Sequence, residues 1–220
     1  MKTLVFSNIN GNILSETSVA ECSFTKSQAK VLKENIKEKG CNLVFINAEG
    51  LANDGNYCKS ILNCFNKIGI SFNKTLELNL KSSATALEKF PKSNRVYFLM
   101  GGNPYNQMQV VEKFNLKETL KTTEDFVIGF CAGAINLSRQ AIITSDDDFK
   151  EPSTYVGIGR IPLNIEPHFK LDKTEFTKNR IKEINAFCKT LKIEITALCD
   201  KSCILIDGKN YKVYGRIYKF

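Results

Sequence analysis

Short apolar runs alternate with longer segments of helical period over the first 150 residues of the chain. Runs rich in Val, Ile, Leu and Phe predict buried strands, and the segments between them predict amphipathic helices. This alternation is typical of a parallel sheet with helices on both faces. The predicted strands are 3–6, 42–46, 75–78, 95–99 and 126–129, and the predicted helices are 26–38, 56–68, 84–89 and 104–114.

The pattern changes after residue 150. A run over 155–165 and a helix over 173–191 precede three short predicted strands, at 194–198, 203–206 and 211–214. Asp207-Gly208 separates the last two strands and is typical of a hairpin turn. The C-terminal part therefore predicts an antiparallel edge on an otherwise parallel sheet. Since no repeat, low-complexity stretch or linker marks a boundary, one domain over residues 1–220 is expected.

Composition argues against several function classes. Lys and Arg exceed Asp and Glu by 31 − 23 = 8, but they are scattered along solvated helix faces, so no nucleic-acid partner is expected. No apolar stretch approaches the roughly eighteen residues that a membrane span needs, so no membrane association is expected. Met1–Phe6 is a short apolar run broken at once by Ser7, Asn8 and Asn10, so no secretory signal is expected. A reducing, cytoplasmic setting is therefore expected, in which most of the eight cysteines are buried as free thiols. Because the cysteines form no CxxC pair, neither a metal site nor a cofactor is expected.

A glycine-flanked cysteine lies between a predicted strand and a predicted helix, in the segment Gly129-Phe130-Cys131-Ala132-Gly133. This G-x-[S/C]-x-G pattern is typical of a nucleophile elbow, where small residues permit a sharp turn that presents the nucleophile at the carboxyl end of the sheet. The following backbone N–H groups favour a developing oxyanion. Alternatively, the glycines only permit close strand-to-helix packing, and Cys131 is one more buried thiol.

A second glycine-containing turn, Gly101-Gly102-Asn103-Pro104, also joins a predicted strand to a predicted helix. Glycine allows backbone N–H groups to approach a ligand closely, so this loop is a candidate for the other half of an oxyanion hole. A plain strand-to-helix turn is the alternative.

The chain has a single histidine, His168, which makes it the one candidate for a histidine general base. A carboxylate that orients it is sought in the acidic run Asp146-Asp147-Asp148. Taken alone, a lone histidine is often structural and an acidic run is often a solvated loop. The order nucleophile, acid, histidine nevertheless matches that of α/β-hydrolase-type triads, which favours the functional interpretation.

Four segments carry a family resemblance: YFLMGGN at 97–103, GFCAGA at 129–134, GIG at 157–159 and IEPHF at 165–169. Together they resemble the peptidase E (dipeptidase E) family and its relatives, including cyanophycinase, within the class I glutamine amidotransferase-like superfamily. The resemblance extends from about residue 42 to the C-terminal hairpin. It implies a three-layer α/β/α fold, flavodoxin-like in arrangement, with a mostly parallel central sheet and a short antiparallel C-terminal hairpin.

The resemblance also implies residue roles. In that family a serine attacks an amide, a downstream histidine is the base, and an acidic residue orients it. These roles fall on Cys131, His168 and Asp146, with the neighbouring Asp147 and Asp148 as alternatives for the acid. Cysteine at the nucleophile position departs from the family's serine.

The remaining roles concern substrate. The backbone amides of Gly102 and Ala132 are the expected oxyanion donors, and Gly101 and Asn103 are expected to contact substrate. No metal, cofactor or macromolecular partner is implied, and the sequence indicates no oligomeric state.

The resulting expectation is a peptidase E-like hydrolase that cleaves a small peptide or amide through Cys131. One alternative is a non-catalytic or redox-sensing homologue that uses Cys131 as a reactive thiol. Another is a glutaminase-type amidotransferase subunit, which is disfavoured because such proteins have His-x-Glu where this chain has Pro167-His168-Phe169-Lys170.

Overall fold

A computed structural model describes residues 1–11, 22–36, 40–48, 54–146 and 148–220. The strands are β1 (Lys2–Phe6), β2 (Asn10–Gly11), β3 (Cys22–Ser23), β4 (Asn42–Ile46), β5 (Lys74–Leu78), β6 (Arg95–Leu99), β7 (Phe126–Phe130), β8 (Gln140–Ile143), β9 (Ser153–Val156), β10 (Ile165–Phe169), β11 (Thr196–Cys199), β12 (Cys203–Asp207), β13 (Asn210–Tyr214) and β14 (Ile217–Lys219). The helices are α1 (Lys26–Asn35), α2 (Asp54–Lys67), α3 (Pro104–Lys113), α4 (Leu116–Thr122), α5 (Ala132–Leu137) and α6 (Glu175–Leu191).

The central sheet has seven strands in the order β13-β12-β1-β7-β6-β4-β5. The five strands from β1 to β5 in that order are parallel to their neighbours. At the other edge, β12 is antiparallel to β1, and β13 is antiparallel to β12. The expected mostly parallel sheet with an antiparallel C-terminal hairpin is therefore confirmed.

Apolar side chains fill both faces of this sheet. Phe6, Phe45 and Phe98 belong to a buried cluster that also holds residues of α1 and α2. Their chain neighbours Val5, Val44 and Tyr97 belong to a second cluster, which holds residues of α3 and α4. Successive residues of a strand point to opposite faces, so the continuous apolar runs seen in the sequence cover both sides at once.

The predicted starts of α1 and α3 agree with the structure, and a capping residue precedes each helix. Thr25 caps α1 through a capping box with Gln28, and Asn103 caps α3 with Pro104 in its first turn. The predicted end of the first helix, at residue 38, lies outside the described residues. The predicted helix over 84–89 was wrong: this segment forms turns, because six residues are too few to sustain an isolated α-helix.

A smaller sheet was not predicted. It has the order β10-β11-β14, with β10 parallel to β11 and β14 antiparallel to β11. Together with α6 it encloses a third apolar cluster that contains Phe169, Ile184 and Ala197. The carboxyl ends of β10 and β11 therefore meet at one edge, close to the end of β1. No helix in the described ranges is long and apolar enough to cross a bilayer.

Candidate active site

Cys131 lies at the turn between β7 and α5, with φ 50° and ψ −109°. A non-glycine residue rarely adopts a positive φ, and it persists only where the surrounding structure holds it. Two hydrogen bonds anchor this turn: the Cys131 N–H donates to the Phe6 carbonyl at 3.0 Å, and the Gly133 N–H donates to the Met100 carbonyl at 3.1 Å. The elbow is thus attached to the ends of two sheet strands.

Close packing explains the two glycines of the elbow. A Cβ atom at Gly133 would lie 2.3 Å from the Leu99 carbonyl oxygen, and one at Gly129 would lie 2.9 Å from the Gly133 backbone. Neither position has room for a side chain. The close packing leaves the Cys131 side chain only half-buried, in contrast to the fully buried Cys64 and Cys203.

His168 lies in β10 at an irregularity of the strand. Its φ is 56°, and the pairing of β10 with β11 shifts register between Glu166 and Phe169. A bulge of this kind turns a side chain away from its regular direction. The imidazole Nε2 atom lies 3.0 Å from Cys131 Sγ, and Nδ1 lies 2.7 Å from Asp200 Oδ1. Thiol, imidazole and carboxylate therefore form one continuous hydrogen-bonded chain.

The structure does not bring Asp146 to the imidazole. Asp146 is exposed, and its carboxylate accepts hydrogen bonds from the backbone N–H groups of Asp148 and Phe149, at 2.9 and 2.8 Å. Both imidazole nitrogens are already bonded elsewhere. Asp148 is also exposed, and Asp147 lies outside the described residues. The acidic run thus forms a surface turn, as the alternative interpretation of such runs expects.

Ser7 joins two members of this arrangement. It follows β1 directly and is fully buried. Its hydroxyl accepts a hydrogen bond from the His168 backbone N–H at 2.7 Å and donates one to Asp200 Oδ1 at 3.1 Å. One oxygen therefore fixes both the strained backbone of the histidine and the carboxylate beside its ring.

An arginine on α6 holds the bulge from the opposite side. Arg180 donates to the carbonyl oxygens of Pro167 and His168, at 2.7 and 3.1 Å. Its guanidinium also pairs with the buried Glu166 carboxylate, which accepts a further hydrogen bond from Thr144 at 2.6 Å. Burial raises the pKa of Glu166, while the charge of Arg180 opposes that rise. The backbone around His168 is thereby held between α6 and the end of β1.

Charge at the site is set by the contacts of the imidazole. Burial by itself would lower the pKa of His168, but hydrogen bonds to Asp200 and Cys131, together with their charges, raise it to about 10. The hydrogen bond from His168 lowers the pKa of the Asp200 carboxyl. At neutral pH the favoured state therefore has a protonated imidazole between a carboxylate and the sulfur.

The predicted glycine loop lies against the elbow. A Cβ atom at Gly101 would lie 3.4 Å from Cys131 Cβ, and Gly102 has a φ of 103°. Within the described part of the chain, no hydrogen bond engages the backbone N–H of Gly102 or of Ala132. The Asn103 side chain accepts hydrogen bonds from two backbone N–H groups of α3, so its oxygen serves the helix cap.

Comparison with known proteins identifies the family of this chain. Residues 13–214 match the sequence model of peptidase family S51. The chain belongs to peptidase family S51. No curated protein matches its sequence significantly.

Among solved structures, the S51 fold is shared with a protein from Listeria monocytogenes EGD-e that is assigned as a peptidase E, in a 1.5 Å crystal structure. The TM-score is 0.61 at 16% sequence identity, and the match covers 97% of each chain. The resemblance to peptidase E and the expected fold are confirmed. Membership of the S51 family makes this chain a peptidase-like hydrolase.

Two polar residues of the candidate site, Asp200 and Ser7, were not predicted. Asp200 follows directly on β11, and Ser7 follows directly on β1. Because polar residues after parallel strands collect at the carboxyl edge of a sheet, both carried a usable signal in the sequence. The triad order of α/β-hydrolases places the acid between nucleophile and histidine, which favours residue 146 over residue 200 in the sequence.

Proposed function

We propose that this S51-family chain is a cysteine-dependent peptidase acting on a small peptide or amide. Cys131 is the nucleophile, His168 carries the proton, and Asp200 takes the orienting role that the sequence predicted for Asp146. The observation that carries the proposal is the continuous contact chain, with Sγ 3.0 Å from Nε2 and Nδ1 2.7 Å from Oδ1. Such a pair of contacts is the geometric signature of an activated nucleophile.

The reaction begins from the pair in which the thiol proton is held at His168 Nε2, so that a Cys131 thiolate faces an imidazolium. The sulfur attacks the carbonyl carbon of the substrate, and the carbonyl electron pair moves to oxygen. Collapse of the tetrahedral intermediate breaks the C–N bond, and the imidazolium gives its proton to the leaving amine. Water then attacks the thioester with neutral His168 as base, which releases the acid and restores the thiolate and imidazolium.

Two backbone amides are suited to the oxyanion. The Ala132 N–H directly follows the proposed nucleophile at the start of α5, and the Gly102 N–H belongs to the β6–α3 loop that lies against the elbow. Neither N–H is committed to a described partner. Gly101, in contact with the elbow, and Asn103, at the cap of α3, are proposed to border the bound substrate. Because Asn103 uses its side-chain oxygen for the cap, we expect its contribution to come from its position in the loop.

The test uses the other half-buried thiols as internal references. Cys188 and Cys199 are about as accessible as Cys131, and burial raises the pKa of each. Brief treatment with iodoacetamide at pH 7, followed by peptide mapping, should label Cys131 at least tenfold faster than either. His168→Asn, which keeps a residue that tolerates positive φ, should slow that labelling and reduce peptide hydrolysis by roughly 10²–10⁴-fold.

Turnover is measured on a panel of dipeptides and on glutamine. Cys131→Ala should abolish hydrolysis while Cys199→Ala keeps it. Equal labelling of the three cysteines would contradict the proposal. Formation of a sulfenic acid at Cys131 without turnover of any amide would favour the redox-sensing alternative.

A further inference from the structure

Two thiols far along the chain from the elbow lie in unusually close contact. Cys22 in β3 and Cys64 in α2 have their Sγ atoms 2.7 Å apart, and both residues are almost completely buried. This separation lies inside ordinary van der Waals contact for two sulfur atoms. The two sulfur atoms therefore face each other with nothing between them, about 0.65 Å further apart than in a disulfide.

The surroundings hold this pair in place. Phe24, two residues after Cys22, stacks edge-on against Phe65, the residue after Cys64, with ring centroids 5.0 Å apart. Lys67, one turn further along α2, donates to the Cys22 carbonyl at 2.9 Å. Strand β3 is therefore fastened to α2 by an aromatic contact and a hydrogen bond on either side of the two sulfurs.

The two thiols differ in their electrostatics. The contact with Cys64 and the nearby charge of Lys67 lower the pKa of Cys22, although burial opposes this. The contact with Cys22 and burial raise the pKa of Cys64. The Lys67 ammonium, which donates to the Cys22 carbonyl, favours a thiolate at Cys22, so Cys22 is assigned as the attacking thiol and Cys64 as the resolving thiol.

We propose that Cys22 and Cys64 form a reversible intramolecular disulfide when the protein meets a peroxide. The Cys22 thiolate attacks one peroxide oxygen, the O–O bond breaks, and one water leaves after protonation. Cys64 then attacks the Cys22 sulfenic sulfur, its proton goes to the departing hydroxyl, and a second water leaves. In sum, two thiols and one hydrogen peroxide give one disulfide and two waters, and a dithiol reductant reverses the oxidation.

The bond would close a long stretch of chain. Its ends are 64 − 22 = 42 residues apart, and it would tie the small β2–β3 sheet to a helix that covers the central sheet. Because a cross-link across a loop of this length restricts the unfolded chain, the oxidised protein should be the more stable form. The proposal does not depend on the peptidase assignment, since the oxidation uses none of Cys131, His168 and Asp200.

Trypsin gives a direct readout. Cleavage after Lys2, Lys26, Lys59 and Lys67 yields peptides 3–26 and 60–67, each with a single cysteine, Cys22 and Cys64 respectively. Wild-type protein is treated with hydrogen peroxide, quenched, blocked with N-ethylmaleimide in urea, and digested. We expect the cross-linked 3–26/60–67 peptide to be the main disulfide product and to disappear after dithiothreitol. The melting temperature should rise by several degrees on oxidation and return on reduction.

Cys64→Ser should abolish the cross-linked peptide and leave Cys22 in a sulfenic or overoxidised form. The control is Cys58→Ala, which removes a buried cysteine from the same helix and should leave the yield of cross-linked peptide unchanged. If Cys64→Ser fails to fold, the wild-type peptide map decides alone. Recovery of both thiols as maleimide adducts after full oxidation of Cys131 would overturn the proposal. So would a cross-link that forms only when the protein is oxidised in urea.

Discussion

At the residue scale, the proposed nucleophile and its base share an uncommon backbone conformation. Cys131 and His168 have φ values of 50° and 56°. Each is held there by a hydrogen bond from its own N–H to the end of β1, to Phe6 in one case and to Ser7 in the other. A single strand end thus sets the positions of both side chains, which accounts for their 3.0 Å contact.

The role of Asp200 can be tested against that of Asp146 by matched substitutions. Asp200→Asn removes the hydrogen bond and charge that raise the pKa of His168, so that pKa should fall from about 10 toward its ordinary value. Peptide hydrolysis should fall by roughly 10²–10⁴-fold. Because His168 is the only histidine, its ring protons give an unambiguous NMR titration.

Asp146→Asn is the control. Among the described residues its carboxylate accepts hydrogen bonds only from the turn that contains it, so we expect the titration and the hydrolysis rate to stay close to wild type. A large loss of activity in Asp146→Asn, together with unchanged activity in Asp200→Asn, would show that the orienting acid is Asp146, as the sequence predicted.

At the element scale, the elbow depends on the absence of a side chain at Gly133. A methyl group there would collide with the Leu99 backbone of β6, which cannot move without disturbing the sheet. Gly133→Ala should therefore lower the free energy of unfolding by about 3 kcal/mol or more, as overpacking against backbone does at its worst. Urea denaturation followed by circular dichroism measures it.

Gly69→Ala separates the collision from simple backbone strain. Gly69 also needs a positive φ, of 77°, but a Cβ atom there meets nothing within 4 Å. We expect a loss of only about 1 kcal/mol. Equal losses in the two variants would show that the elbow glycine is required for its conformation alone.

Elements of the parallel sheet were predictable because β1, β4, β6 and β7 each contain a run of buried apolar residues. The strands at 42–46 and 95–99 have the same bounds in the structure as in the prediction. The smaller sheet was not predictable: β10 contains Pro167 and a bulge, and β14 has only three residues, so neither shows a clear strand pattern. For the same reason Asp200 was missed, since its proximity to His168 follows from the pairing of β10 with β11.

At the scale of the whole molecule, one buried arginine ties distant segments together. Arg160 donates to Thr3 Oγ1 at 2.7 Å and to four carbonyl oxygens, those of Lys2, Leu120, Thr123 and Asp125. Burial lowers its pKa to about 10, so it remains charged at neutral pH. It joins the start of the first strand to the α4–β7 connection.

Arg160→Lys should destabilise the protein by about 2–4 kcal/mol, because one ammonium cannot satisfy five acceptors in a fixed plane. The melting temperature should fall by roughly 5–15 °C, measured by calorimetry. Arg139→Lys, at an exposed position, is the matched control and should change it by at most a degree or two. A similar small shift in both variants would contradict the bridging role of Arg160.

The order in which Ser7, Cys131, His168 and Asp200 occur along the chain matters during synthesis. The acid that completes the trio lies in the turn before β12, and β12 is the strand that pairs beside β1. A ribosome-bound chain that has grown only as far as the elbow has a thiol without its imidazole and carboxylate. In the proposed mechanism, hydrolytic competence therefore arrives late in translation, once Asp200 has joined the thiol and the imidazole, and half-made chains are poorly equipped to cleave the peptides around them.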